Sequence, residues 1–553
     1  MKTIFGNTAQ DRAKVFIGAA LILFSIAQTA LLYDFSLEKL VLEWRFTEDS
    51  FISLRIAQNI GAGYGETFDT VNPTNGYQPL WVWFLAPFSR LFDSPGFFAK
   101  FVLVICILFF HIALVLLLYA LSRIAKTPAV FAAIGIVPAL LPRFELCVIN
   151  GLETSLFFFL FILTVVFVAW IFREPEKRVK VGFGIIMGFF LALTFFARLD
   201  SFFLSFVIGA VVLFGFTGIR FRRKLVFLCV SAATEVALIA PYLIRNKLLY
   251  GRIMPLSGAV KLWAFRQVFP NLGNYLASDE WTGPISLLQR TISSGALIDN
   301  PKPLFTLLIL FCIGSIAIAI VALKKGDFTA KVGALYAAIH LIFFVVVYRE
   351  NRAYSDYYFI IEVLVFCLAV VFLITRLARK TKNAVFINRL FVALLFVGII
   401  VQTFRENVIA PKASKFAVSR YKAALWARDC IPENELIGCF WPGTFSFVSQ
   451  RKVVNLDGIC NDGDFFENFI KKHRVDDYVR EKSIRYIAGR FQHAAIGANG
   501  EVVFDNSAEC KNWADYVKNS TMPELAPDLR LLRDFGEDYY IFYLAGTSKD
   551  NRR

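Results

Sequence analysis

Charge is what this sequence has least of. Asp, Glu, Lys and Arg make up 18% of its 553 residues, against about 25% in an ordinary soluble domain. The hydrophobic share is 57%, with a mean hydropathy of +0.58. That balance excludes a soluble enzyme with an enlarged core. Histidine is scarcer still: His111, His340, His473 and His493 are scattered singly along the chain, which excludes a His-rich zinc centre. The nine cysteines contain no CxxC spacing, so a thiolate metal knuckle is excluded too. Gly61-Ala62-Gly63-Tyr64-Gly65 looks like a glycine fingerprint, but no strand-like run precedes it and a dinucleotide fold is rejected. Acidic residues are the minority charge, 43 against 59 Lys and Arg, leaving a net charge of +16. In a soluble chain that excess points to nucleic acid. Here the basic residues lie beside hydrophobic runs, so it reads as membrane topology, with no nucleic-acid partner.

What is present is a series of apolar runs. A helix needs about 20 apolar residues to cross a bilayer, and eleven runs qualify: 14–33, 97–121, 128–145, 153–172, 181–197, 201–217, 224–243, 303–323, 331–348, 356–376 and 386–403. The shorter stretch Pro79–Phe92 contains Pro87 and Arg90. With that stretch not crossing, the short loops on one side (with the N-terminal segment) carry 21 Lys and Arg and those on the other carry 4. Basic loops stay cytoplasmic, so the expectation is a cytoplasmic N-terminus, an exterior C-terminus and a multi-pass bacterial plasma (inner) membrane protein. Pro79–Phe92 then reads as an interfacial helix anchored by Trp81 and Trp83. The first span reads as an uncleaved signal anchor.

Two domains are expected: 1–403, a transmembrane catalytic domain whose first exterior loop covers about 34–96, and 404–553, an exterior α/β domain. A second exterior loop runs from Arg245 to Lys302. The tail carries strand-like runs at Glu435–Phe440, Lys452–Leu456, Arg485–Ala488 and Tyr539–Leu544. Cys430, Cys439, Cys460 and Cys510 all fall in it, an even number that allows up to two disulfides in three connectivities. Trp426, Trp441, Trp513 and Tyr516 offer sugar-stacking surfaces, with core packing the alternative for most.

Ionisable groups at span ends concentrate the chemistry. Glu48 and Asp49 follow the first span closely, with Thr47 or Ser50 placed to cap a short helix there. Such a pair serves as general base or cation ligand, or as a solvated helix start. Asn72-Pro73-Thr74-Asn75-Gly76-Tyr77 reads as an ordered turn. Glu153 opens a span and is placed to meet Glu48 and Asp49. Arg198 and Asp200 lie between two spans only three residues apart: a structural salt bridge, or an Arg held for a phosphate. Arg245, Lys247 and Lys261, and then Arg349 and Arg352, are basic on the expected outer side and require an anionic partner, for which a lipid phosphate is the candidate. Phosphate, sugar and hydrocarbon tail in one ligand match carboxylates and cations beside apolar walls.

Glu48-Asp49-Ser50-Phe51-Ile52-Ser53-Leu54-Arg55, with Asn59, Gly63, Gly65 and Gly76-Tyr77 before Pro79-Leu80-Trp81, resembles the first exterior loop of GT-C glycosyltransferases, in particular the mycobacterial terminal arabinofuranosyltransferase family. Gly151-Leu152-Glu153-Thr154 matches the family's Gly-x-Glu-Thr. Arg198-Leu199-Asp200 resembles its Arg-Pro-Asp/Glu, with Leu199 for Pro. Tyr250-Gly251 through Pro255 to Lys261 resembles a further element, with Leu256-Ser257 for Asn-Thr. The match runs in pieces from about 14 to 261, and in the tail it touches only Gly443 and Asn455-Leu456-Asp457-Gly458. The resemblance implies an inverting membrane glycosyltransferase with a polyprenyl-phosphate sugar donor and a cell-envelope glycan, lipid or protein acceptor. It carries the general base onto Asp49, with Glu48 beside it orienting the acceptor or a cation. Arg198 and Lys261 follow the motifs as donor-phosphate ligands; Arg352 is added by position. Arg55, Tyr77, Glu153 and Asp200 are expected in support. The acidic set permits a divalent cation (Mg, Mn or Ca) without requiring one. The alternative is a transporter or flippase for a lipid-linked sugar, which would call for an inverted repeat and charges deep in several spans; neither is read in the sequence.

Overall fold

The computed structural model describes residues 8–215, 219–277, 328–348, 356–378, 381, 383–406, 413–492, 494–504 and 513–545. They are mainly helical and form two compact units that do not follow chain order. One unit comprises Met1–Asp34, Val104–Ile239 and Tyr275–Ala410; the other comprises Phe35–Leu103, Ala240–Asn274 and Pro411–Arg553. The second therefore joins the first loop to the tail.

The first unit is a bundle of apolar helices. Ten of the eleven expected runs coincide with described helices, and 303–323 lies outside the described residues. Five described helices are long and apolar enough to span a bilayer, and a sixth if Pro128–Leu140 and Pro142–Val148, bent by 51° at the intervening Leu141, count as one. Pro142 explains the break, since it has no N–H to continue the ladder. Small residues let backbones approach, as helix pairs in lipid require: a Cβ on Gly188 would lie 2.3 Å from the Ser231 carbonyl oxygen. Buried ionisable groups nevertheless occur in these apolar helices. Glu145, 1% exposed, accepts from Gln28 Nε2 at 2.8 Å and Thr29 Oγ1 at 2.5 Å. His340 and Glu362 are buried within apolar helices as well.

The second unit contains the expected α/β tail. Its sheet has the order β2-β1-β3-β7-β6, with β1 (Leu436–Cys439), β2 (Lys452–Asn455), β3 (Tyr486–Arg490), β6 (Leu529–Asp534) and β7 (Tyr539–Leu544). β1 pairs in parallel with both β2 and β3, while β7 runs antiparallel to β3 and β6. Near-continuous apolar runs suit parallel strands covered on both faces, and Ile437, Val453 and Ile487 are fully buried. A two-stranded ribbon, β4 (Ala494–Ile496) with β5 (Val502–Phe504), and β6 are additions to the four strands read in the sequence.

Three expectations change here. Trp81 is fully buried and Trp83 donates its Nε1–H to Glu66 Oε1 at 3.3 Å, so Trp81 is core packing of the Pro79–Ser89 helix and no interface anchor. The described part of the second expected loop is largely helical: Phe221–Tyr250 continues past Arg245 as one helix, and Leu256–Val268 is another. Cys430, Cys439 and Cys460 are free thiols, with Cys439 and Cys460 in the core and Cys430 at the surface; Cys510 lies outside the described residues.

Candidate active site

The Glu48–Gly61 helix begins at Thr47, whose Oγ1 accepts from Ser50 N at 3.3 Å. Thr47 is the cap, and Ser50 turns its hydroxyl back to the Thr47 carbonyl. This start sends the two acidic neighbours to different fates. Glu48 is consumed: it accepts from Arg420 Nη1 at 2.5 Å, Thr444 Oγ1 at 2.6 Å and Thr444 N at 3.1 Å. Burial raises its pKa against the pull of Arg420 and Thr444. Asp49 retains 34% side-chain exposure and faces Lys261 Nζ at 3.6 Å, itself only 11% exposed. Of the pair, Asp49 is the carboxylate that an incoming hydroxyl can reach.

Lys261 is held by its helix, and the helix by the first loop: Leu256 N–H, an orphan donor at the helix start, donates to Asn75 Oδ1 at 3.0 Å. The turn before it is closed by Asp69, which accepts from Val71 N, Asn72 N and Asn72 Nδ2 at 2.7–2.8 Å. Asn59 donates to the carbonyls of Thr67 and Phe68. Gly76 is required by close approach: a Cβ there would lie 1.9 Å from the Ile459 carbonyl oxygen.

The supporting residues sort by contact. Arg55 donates to Gln450 Oε1 at 2.7 Å and burial lowers its pKa to about 10; it fastens the helix to the tail. Tyr77 is buried, and desolvation first, then Glu66, pushes its hydroxyl pKa up. Glu66 was not singled out from sequence, yet it gathers Arg245 Nη2 at 2.6 Å and the Tyr250 hydroxyl at 2.7 Å. Arg245 therefore has a protein carboxylate as its anionic partner.

Arg198, Asp200 and Glu153 belong to the other unit. Arg198 is 0% exposed. Its Nε and Nη2 donate to the Asp200 carboxylate at 3.2 and 2.6 Å, and its Nη1 donates to the Tyr357 carbonyl at 3.1 Å. The rings of Phe157 and Tyr358 each lie 4.8 Å from the guanidinium carbon. Asp200 also meets His340 Nε2 at 3.1 Å, and His340 Nδ1 meets Glu362 at 2.6 Å. Glu153 is buried within electrostatic reach of Arg198. This quartet of Arg198, Asp200, His340 and Glu362 was missed except for its first two members. The signal was there: His340 and Glu362 are ionisable residues inside apolar runs. Arg352 lies outside the described residues.

A divalent cation does not fit this donor set. Among the described residues no group of three or more His, Cys, Asp or Glu is placed to hold a metal ion. Glu48 and Asp69 already spend their oxygens on N–H and O–H donors.

Asp457 is another perturbed carboxyl. It is fully buried and accepts from Trp441 N at 2.9 Å and Asn455 Nδ2 at 2.5 Å. Burial pushes it up to about 7 against those donors, with Asp49 adding to the rise. A carboxyl raised on folding binds its proton more tightly in the folded state, so stability is greatest below the unfolded value and falls as pH climbs towards the folded one. Thermal unfolding of the full chain in detergent should therefore show a midpoint that drops between about pH 4 and pH 7, by an amount worth at most about 4 kcal/mol. Asp457→Asn should flatten that slope; an unchanged slope would refute the assignment.

No protein-family model matches the sequence, and no curated protein matches it. Solved structures do. The chain is similar to ArnT from Cupriavidus metallidurans bound to undecaprenyl phosphate, with a TM-score of 0.54 and 12% identity over 95% of this chain and 99% of that one. It is similar to the archaeal oligosaccharyltransferase AglB from Archaeoglobus fulgidus in complex with an inhibitory peptide and a dolichol-phosphate, with a TM-score of 0.51 and 14% identity over 87% of this chain and 69% of that one. The A. fulgidus oligosaccharyltransferase in complex with Zn and sulfate gives 0.53 and 14%, over 86% and 68%. Aligned along nearly all of ArnT, this chain shares the fold of these solved structures: a bundle of apolar helices with a sheet-containing C-terminal domain.

Proposed function

We propose that the protein is an inverting membrane glycosyltransferase that moves a sugar from a polyprenyl-phosphate donor to a hydroxyl of a cell-envelope acceptor. The observation that carries this reading is the difference within the acidic pair: Glu48 is held by Arg420 and Thr444, while Asp49 keeps 34% side-chain exposure beside Lys261. Asp49 accepts the proton of the acceptor hydroxyl as that oxygen attacks the anomeric carbon. The bond from that carbon to the phosphate oxygen breaks, and polyprenyl phosphate departs with the electron pair. Lys261 favours the phosphate as charge grows on it. Arg352 is carried as a second phosphate ligand by its place in the sequence. Arg198, with its guanidinium turned inward onto Asp200 and Tyr357, acts in this reading as a positioning residue. The polyprenyl phosphates held by the two similar proteins support the donor class. The site faces the cell exterior, as the basic-loop asymmetry requires.

The transport reading draws on the buried charges Glu145, Asp200, His340 and Glu362. The pairing of Asp200, His340 and Glu362 with one another and with Arg198, and of Glu145 with Gln28 and Thr29, fits a structural tie at least as well. One experiment separates the two. The full chain is reconstituted in vesicles with a polyprenyl-phosphate pentose or hexose, and the lipids are read by mass spectrometry. A transferase releases polyprenyl phosphate once envelope extract is added, and Lys261→Ala slows that release by about 10–100-fold. Donor that changes leaflet while remaining intact would decide for transport.

A further inference from the structure

The tail's own contribution to the reaction follows from where its parallel strands end. Ligands of open α/β sheets sit outside the carboxyl ends of the strands. β1 ends at Cys439 and β2 at Asn455, so the loops that matter are 440–443 and 456–461. Both border the candidate active site. The first runs into Thr444, which binds Glu48, and a Cβ on its Gly443 would lie 2.3 Å from the Glu48 carbonyl oxygen, next to Asp49. The second meets Val260 through Gly458, one residue before Lys261.

Within 440–444 every residue is buried except Trp441. Trp441 also has a left-handed backbone, with φ of 58°. A bulky residue in that conformation costs about 1–3 kcal/mol and persists only where its surroundings impose it. The imposing group is Asp457, whose Oδ2 accepts the Trp441 N–H while Asn455 holds the other oxygen. A fully buried carboxyl is thus spent on fixing the backbone of one partly exposed tryptophan, in a loop that packs through Gly443 against the start of the Asp49 helix.

We propose that Trp441 is the acceptor-side platform, stacking against a sugar ring of a glycan acceptor so that a ring hydroxyl reaches Asp49, and that Asp457 is its positioning residue. The C–H face of a sugar ring is apolar and meets the electron-rich indole face well; a planar aromatic tolerates different ring hydroxyls while fixing the plane. This inference rests on the glycosyltransferase reading and narrows the acceptor to carbohydrate.

The test uses the full chain in nanodiscs, a polyprenyl-phosphate sugar donor, and delipidated, protease-treated envelope polysaccharide from cells lacking the protein. Trp441→Ala should raise the half-saturating polysaccharide concentration by about tenfold or more, equivalent to about 1.4 kcal/mol, with the limiting rate within about threefold. Trp441→Phe should restore most of the affinity, and Asp457→Asn should fall between. Half-saturation unmoved by Trp441→Ala would overturn the proposal. So would a limiting rate lost equally in the Ala and Phe variants, or transfer only to an untreated peptide or lipid fraction. A wild-type protein that transfers to no fraction would instead overturn the glycosyltransferase reading itself.

Discussion

Asp49→Asn should lower the limiting rate of sugar transfer by about 10²–10⁴-fold, the range that a positioned general base supplies. The amide keeps the size and the place of the side chain but cannot take the proton of the attacking hydroxyl. Donor affinity should change little, because the anionic donor is held by cations and not by Asp49. Removing a carboxylate beside Lys261 even leaves that ammonium freer to meet phosphate. The expected signature is therefore a fall in kcat with a steady or lower donor KM. That pattern marks an interaction made only in the transition state. Asp49→Glu should recover little, since a shift of about 1 Å in a reacting group can cost about 10²-fold. The measurement is single-turnover transfer with purified full-length protein at saturating donor. A loss below about threefold would remove Asp49 from the chemistry.

How much of this was legible beforehand follows from the range of each interaction. The start of the Glu48–Gly61 helix was legible because a cap is local: Thr47 and Ser50 are three residues apart. Strands β1, β2, β3 and β7 were legible as short apolar runs between turns. β6 was not, because Leu529-Arg530-Leu531-Leu532-Arg533-Asp534 is mostly solvent-facing with a bulge, so it reads as neither alternation nor core. The two roles inside the acidic pair were also illegible. Glu48 and Asp49 are chemically alike, and what separates them is Arg420 and Thr444, more than 370 positions away. The same holds for Arg245, whose position asked for an anion that turned out to be Glu66, 179 residues upstream. Motif order gave Lys261 a place near Asp49 only through a resemblance; the distance of 3.6 Å comes from tertiary packing alone.

Breaking the Glu48 clasp should have the second large effect. Arg420 is 2% and Glu48 12% exposed in side chain, and Arg420 is further wedged between Trp44 at 5.0 Å and Phe416 at 5.1 Å. Removing one partner of a buried ion pair strands the other, at a cost of about 3–5 kcal/mol. Arg420→Ala should therefore lower the thermal midpoint of the full chain markedly. Glu48→Gln should cost less, because an amide oxygen still accepts from Thr444 and Arg420. The double variant should lose less than the sum, since the stranded charge is gone; that non-additivity is the mark of direct coupling. Transfer measured well below the unfolding temperature tells positioning from chemistry. If Glu48 only holds the helix start, Glu48→Gln retains most of the rate while Arg420→Ala slows it by displacing Asp49. If Glu48 itself takes the proton, Glu48→Gln should be as inactive as Asp49→Asn, and the roles assigned to the two carboxylates would have to be exchanged.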